Sequence, residues 1–146
     1  YYVQKSLAIY QQIEENPRME GRCLYLVEKY DEAYLKFEKY LESKERKSDY
    51  TLSRMIAIDY IKGREKRAEE LLEEMKSLKG AYDYGINEYY QAHIAAKRGY
   101  GKDVFLLLEE SLLEGKYFGT FYFQNDPHLG PYHDAPEFKK LLTYWH

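Results

Sequence analysis

The sequence predicts an all-α chain built from paired helices, and three observations carry that expectation. Three segments can be laid over one another: EGRCLYLVEKYDEAYLKFEKYLE (Glu20–Glu42), MIAIDYIKGREKRAEELLEEMK (Met55–Lys76) and QAHIAAKRGYGKDVFLLLEESLLEG (Gln91–Gly115). Each reads as a helix, a short break and a second helix. The composition agrees, because 32% of residues are charged while 45% are apolar or aromatic, which suits amphipathic helices with Lys/Glu-rich outer faces and apolar inner ones. Proline, finally, is kept out of the helical pattern. Three of the four prolines lie in one late stretch, QNDPHLGPYHDAPEF (Gln124–Phe138).

Val3–Glu15 (VQKSLAIYQQIEE) reads as a helix with Leu7, Ile9, Tyr10 and Ile13 apolar. It suits the second half of an earlier helix pair. Asn16-Pro17 then reads as an N-cap followed by proline at the first helical position, where no N–H donor is needed. Taking Ala33, Ala68 and Val104 as the anchor of each second helix, the steps are 35 and 36 residues. Twelve positions before the anchors stand Gly21, Ile56 and Ala92, and four after them stand Phe37, Leu72 and Leu108. Small residues at a crossing with a large apolar residue one turn on let antiparallel helices interlock their ridges and grooves. Five before the anchors stand Glu28, Gly63 and Gly99, the last two being good helix-ending residues.

Other features bound the function. The formal net charge of -3, with bases interleaved among acids as in Glu42–Asp49 (ESKERKSD), gives no long-range pull toward nucleic acid or anionic membrane. The single cysteine, Cys23, excludes an internal disulfide and reads as a small buried side chain. The longest apolar runs, Cys23–Val27 and Val104–Leu108, are far short of a membrane span. No signal peptide is visible, and the compartment expected is the cytoplasm. The chain starts in mid-helix without an initiator methionine, so it is expected to be a piece of a longer protein. The 18 tyrosines are rigid amphipathic plates suited to half-buried helix faces or to recognition.

The paired helices and their period resemble the tetratricopeptide repeat, a helix–turn–helix unit of about 34 residues. The resemblance runs from Asn16 to Lys116 and is best in YDEAYLKFEKYLE, where Tyr30, Ala33, Phe37 and Leu41 stand at the family's inter-helix contacts. The repeats are degenerate. The family's first-helix aromatic has loose counterparts at Tyr25 and Tyr60, and Glu45, Gly80 and Lys116 replace its closing proline. The resemblance implies one domain over residues 1–146, a right-handed α-solenoid of antiparallel helix pairs. It would hold repeats at 16–48, 49–84 and 85–116, preceded by the 1–15 helix and closed by 117–146.

In the closing stretch, Asp126-Pro127 and Asp134-Ala135-Pro136-Glu137 both read as helix starts, the second as a capping box. In PEFKKLLTYW, Phe138, Leu141, Leu142 and Trp145 form one apolar stripe able to cover the last repeat, as a solenoid end requires. Asn125, Asp126, Pro127, Leu129, Pro136, Glu137, Phe138, Leu141 and Leu142 also resemble the segment that closes the repeats of many bacterial tetratricopeptide regulators. The rival is a metal site of His128, His133 and Asp134 with Asp126 as a fourth ligand. Its H-x-x-x-x-H-D spacing, broken by Gly130-Pro131, differs from H-E-x-x-H, and capping already explains both aspartates. No cofactor is expected, and no nucleophile, phosphate loop or catalytic dyad is legible. The chain is therefore read as non-enzymatic.

By resemblance, the first helix of each repeat would line a concave groove. That places Arg18, Arg22 and Tyr25, then Ser53, Ala57 and Tyr60, then Tyr89, His93 and Lys97 on a surface suited to an extended peptide with an acidic group. The family's clamp for C-terminal carboxylates needs an asparagine where Arg22 stands. The expected partner is thus a protein or peptide, with no nucleic acid and no membrane. Two alternatives stand beside it: a self-associating module, with a homodimer as its form, and, more remotely, an all-helical metal-dependent enzyme.

Overall fold

The structure, a computed structural model, describes residues 2–12, 16–43, 47–81, 83–115 and 124–143. Among these residues every regular element is helical. The order is α1 (Tyr2–Gln12), α2 (Pro17–Leu26), α3 (Tyr30–Glu42), α4 (Asp49–Ile61), α5 (Glu65–Ser77), α6 (Ile86–Arg98), α7 (Gly101–Leu113), a 3-10 turn (Gly130–Tyr132) and α8 (Pro136–Leu142). The all-α expectation holds. Ile13, Glu45, Lys116 and Trp145 lie outside the described residues.

The breaks at the three aligned positions share one backbone. Glu28, Gly63 and Gly99 all have positive φ, 61°, 71° and 76°. The next residue's N–H then reaches back to close the first helix: Lys29 to the Leu24 carbonyl at 2.9 Å, Arg64 to Asp59 at 2.8 Å and Tyr100 to Ala95 at 3.0 Å. This is the 6→1 bond of a Schellman closure. The carbonyls of Lys29, Arg64 and Tyr100 in turn accept from Ala33, Ala68 and Val104 at 2.9, 3.0 and 3.1 Å, which starts the second helix. The three anchors are fully buried, as are Phe37 and Leu108, while Leu72 is half-buried. Two breaks use glycine. Glu28 adopts the same left-handed conformation with a Cβ, at a cost of about 1–2 kcal/mol.

The chain forms two compact units, residues 1–71 and 72–146, with the boundary inside α5. In the first unit, α1 packs on α2, α2 on α3 and α3 on α4. Its core joins Leu24, Tyr25, Ala33, Tyr34, Phe37, Met55, Ala57 and Ile58. Gly21 lies so close to Phe37 that a Cβ there would meet the ring at 2.6 Å. That contact is why the α2/α3 crossing needs glycine. Asn16 caps α2 as expected, its Oδ1 accepting from Met19 N–H at 3.2 Å, with Pro17 at the first position. α4 departs from one-sided amphipathicity, because every residue from Thr51 to Asp59 is buried. Its central sequence, LSRMIAID, is apolar on all sides apart from a few polar groups, the pattern of a helix enclosed by neighbours.

In the second unit α6 packs on α7 and α7 on α8. Tyr89, Ala92, Ala95, Val104, Leu108, Leu129, Phe138 and Leu141 share one core, with Leu142 against its edge. The apolar stripe of α8 therefore covers the α6/α7 pair. The capping expectations need correction. The N-cap of α8 is Ala135, with ψ 139° and no side-chain cap bond, and Asp134 is exposed. Proline pushes its preceding residue into extended backbone. The helix must therefore start at Pro136, one residue too late for Asp134 to cap. Asp126 starts no α-helix either: its Oδ1 accepts from His128 N–H at 2.8 Å in a local turn, and the 3-10 turn begins at Gly130.

No side chain crowds Gly63 or Gly99, so substitution there tests the backbone alone. Glu28→Gly is expected to raise unfolding stability by about 1 kcal/mol, and Gly63→Ala and Gly99→Ala each to lower it by about 1 kcal/mol. Urea midpoints at constant slope would measure all three.

Candidate functional site

The interior of α4 sets the site, because two of its buried residues carry full charges. Burying a charge is costly unless opposite charge or hydrogen bonds compensate it. Asp59, toward the C-terminal end, is compensated by the helix that follows. Its Oδ1 lies 2.6 Å from both Nε and Nη2 of Arg64, and Arg67 Nε lies 3.8 Å from Oδ2. The Tyr34 hydroxyl donates to Oδ2 at 3.1 Å and accepts from Arg67 Nε at 2.7 Å. Burial pushes the Tyr34 phenol up, against a smaller opposing effect from the Arg67 bond. This network ties α3, α4 and the start of α5 together.

Arg54, in the first half of α4, is fully buried and meets a different environment. Its guanidinium lies 4.6 Å from the ring centre of Tyr50 and 5.5 Å from that of Tyr25. Two arginines of α2 approach the same Tyr50 ring, Arg22 at 5.0 Å and Arg18 at 5.5 Å, and Arg18 also lies 5.7 Å from Tyr40. The result is three guanidiniums around one half-buried tyrosine. Among the described residues neither Arg18 nor Arg22 forms an ion pair. Glu20, the acid of α2, is committed to Lys36 at 2.5 Å. Arg18 Nε is buried without a hydrogen-bond acceptor among the described residues, and Arg22 donates to Met19 Sδ at 3.6 Å, a weak acceptor.

The residues expected in a groove divide by exposure. In the first unit Arg22 is exposed, Arg18 and Tyr60 are half-buried, and Tyr25, Ser53 and Ala57 are interior. Ser53 donates to its own helix, to the Tyr50 carbonyl at 2.7 Å. In the second unit Lys97 is exposed, and Tyr89 and His93 are buried. Arg18 and Arg22 both approach the Tyr50 ring. Tyr50 and Arg54 were missed by sequence reasoning, although an arginine inside an apolar helix (SRMIAI) is the kind of signal that marks a buried charge. Cys23 is buried, and burial pushes its thiol up against a smaller opposing pull from Arg22, which disfavours the thiolate.

The second unit has its own polar centre at Asp126. Oδ2 accepts from the Tyr89 hydroxyl and lies 2.9 Å from His93 Nε2. The His128 ring rests 4.9 Å from that of His93, and Tyr89 4.3 Å from it on another side. Burial raises the Asp126 carboxyl, but the His93 bond and charge, the Tyr89 hydroxyl and His128 together hold it well below the usual carboxylate range. The polar ends of Tyr89 and His93 thus fasten the closing segment to α6. Nearby, Lys79 bridges Glu88 and Glu114 at 2.7 Å each.

Among the described residues no group of three or more His, Cys, Asp or Glu side chains is placed to hold a metal ion. His128 packs on His93, His133 lies 4.9 Å from Phe138 ring to ring, and Asp134 is 3.8 Å from Lys139. Nor is any described helix long and apolar enough to cross a membrane. Comparison with protein-family models, curated proteins and solved structures finds no match to this chain.

Replacing Asp126 by Asn leaves the tie without its charge, and removing one member of such a buried pair costs on the order of 3 kcal/mol. The carboxyl is depressed in the folded state, so its contribution is present above the unfolded value of about 3.9 and lost as pH falls through the folded value. The wild-type protein should therefore exceed Asp126→Asn in unfolding free energy at pH 5, with the gap narrowing below about pH 4. Denaturant titrations of both proteins across that range would show it.

Proposed function

We propose that this chain is a protein-interaction module of the tetratricopeptide-repeat type, binding a peptide or partner domain and running no reaction of its own. The observation that carries this reading is the thrice-repeated turn, in which one left-handed residue and one backward hydrogen bond join each first helix to its second. A unit reused along a chain builds surface, and such surfaces are used for recognition. Family resemblance supplies the step from repeat to binding. In the first unit the partner meets the side of α2 and α4 where Arg22 is exposed and Arg18 and Tyr60 are partly so. Arg and Tyr are side chains on which binding energy concentrates. By the same resemblance, the chain would serve as the repeat region of a larger bacterial regulatory protein.

Self-association is a second reading, favoured by the exposed apolar side chains Tyr2 and Ile9 on α1. Light scattering separates the two, since a mass that stays monomeric at high concentration removes it.

The module reading is tested by affinity capture from source lysate with three baits: the wild-type chain, Arg22→Glu/Tyr60→Ala, and Lys97→Glu, each first shown to keep its helicity. The expected outcome is a protein held by the wild type and reduced by at least about tenfold on the first variant, the loss of one or two contacts of hot-spot strength. Equal capture on all three would place binding elsewhere on the chain.

A further inference from the structure

We propose that the cleft between α7 and α8 is a separate interaction site, which takes one large apolar side chain from a partner segment carrying lysine or arginine beside it. Phe105, Leu106 and Glu109 of α7 line this cleft together with Glu137, Lys140 and Leu141 of α8, around a volume of about 130 Å³. Both helices belong to the second unit. The site is therefore distinct from the α2/α4 surface and does not rest on the binding role proposed for it.

Size decides the kind of ligand. Pockets that enclose a small molecule run to roughly 300–1,000 Å³, so this cleft has room for a single side chain. Its lining is apolar at the bottom and along one wall. Leu141 is buried in the core of the unit, Phe105 is half-buried against that core, and Leu106 is 56% exposed. A lone exposed leucine is ordinary, but Leu106 forms the open wall of a cleft. A side chain seated there would withdraw apolar surface of both molecules from water. An apolar anchor in a pocket with a polar rim is the arrangement on which binding energy concentrates.

The rim sets the charge of the partner. Half-buried Glu109 stands on the α7 side and exposed Glu137 on the α8 side, against one exposed base, Lys140. None of the three forms an ion pair among the described residues. Two carboxylates to one ammonium leave the rim acidic. Beside an apolar surface their field is stronger than in open water, so a base flanking the anchor is attracted and an acid is repelled. This argues against a second copy docking through Leu113, a highly exposed leucine of α7, because Leu113 stands one turn from Glu109 and Glu110. Acid would then meet acid.

A displayed library of random peptides is selected in parallel on the full wild-type chain and on Leu106→Ser. Peptides enriched on the wild type alone are synthesised and titrated by fluorescence polarisation. The variants are Leu106→Ser and the double change Glu109→Gln/Glu137→Gln. Leu113→Ser and Glu110→Gln remove an exposed leucine and an exposed acid of α7 that do not line the cleft, and serve as controls. The expected peptides carry a large apolar residue with lysine or arginine next to it. They should bind each cleft variant about 10-fold more weakly than the wild type, bind both controls like the wild type, and weaken as salt rises. In the wild type, a bound peptide should shift the methyl resonances of Leu106 and Leu141, a readout that needs no variant. The proposal is overturned if no peptide is enriched on the wild type alone, if the enriched set lacks bases, if the controls weaken binding as much as the cleft variants, or if those methyl resonances stay in place. A dimer seen by light scattering and abolished by Leu106→Ser would also overturn it, by giving the cleft to a second copy. Arg22, Tyr60 and Lys97, the positions changed for affinity capture, do not line the cleft, so failure of one proposal is distinguishable from failure of the other.

Discussion

The burial of α4 is the constraint on which the first unit depends. A helix enclosed on all sides must satisfy whatever polar groups it carries, and α4 carries an arginine and an aspartate five residues apart, at positions 54 and 59. Their solutions differ. Asp59 draws Arg64 and Arg67 back across the turn that ends α4 and so fixes the start of α5. Arg54 is set against the rings of Tyr25 and Tyr50. One end of the helix closes an internal network. The other seats its guanidinium among aromatic rings.

The turn that follows each first helix works at a more local level and is shared by both units. A single left-handed residue lets the chain reverse within three residues and uses the helix's last carbonyls at once. The anchor residue arrives at a fixed distance beyond it, which is why Ala33, Ala68 and Val104 are all fully buried despite their different sizes. The second unit adds a fastening of another kind. Asp126 reaches α6 through Tyr89 and His93, and the apolar stripe of α8 then seats over the same core.

Much of this was legible in the sequence because periodicity is a backbone property. The paired helices, the break positions, Asn16-Pro17 as a helix start and the α8 stripe all follow from spacing. Even Glu28, a poor residue for a left-handed turn, was placed by its alignment with Gly63 and Gly99. Misreadings arose where a side chain had two local options. Asp134 and Asp126 each stand near a proline and look like caps, but Pro136 sets its helix start one residue later, and Asp126 turns its carboxylate to α6. Burial of individual groove residues was not legible, since a period gives a helix face and not what packs against it. Ser53 and Tyr89 illustrate this. The arginine cluster needed three dimensions, because Arg18 and Arg22 lie more than 30 residues from Arg54 in sequence.

The most direct measurement is the unfolding free energy of Asp59→Ala beside that of the wild type, by urea titration at constant slope. The account predicts a loss on the order of 3 kcal/mol, because Arg64 and Arg67 then lose the buried carboxylate they share. A change within about 0.5 kcal/mol, the size of an ordinary surface substitution, would contradict it.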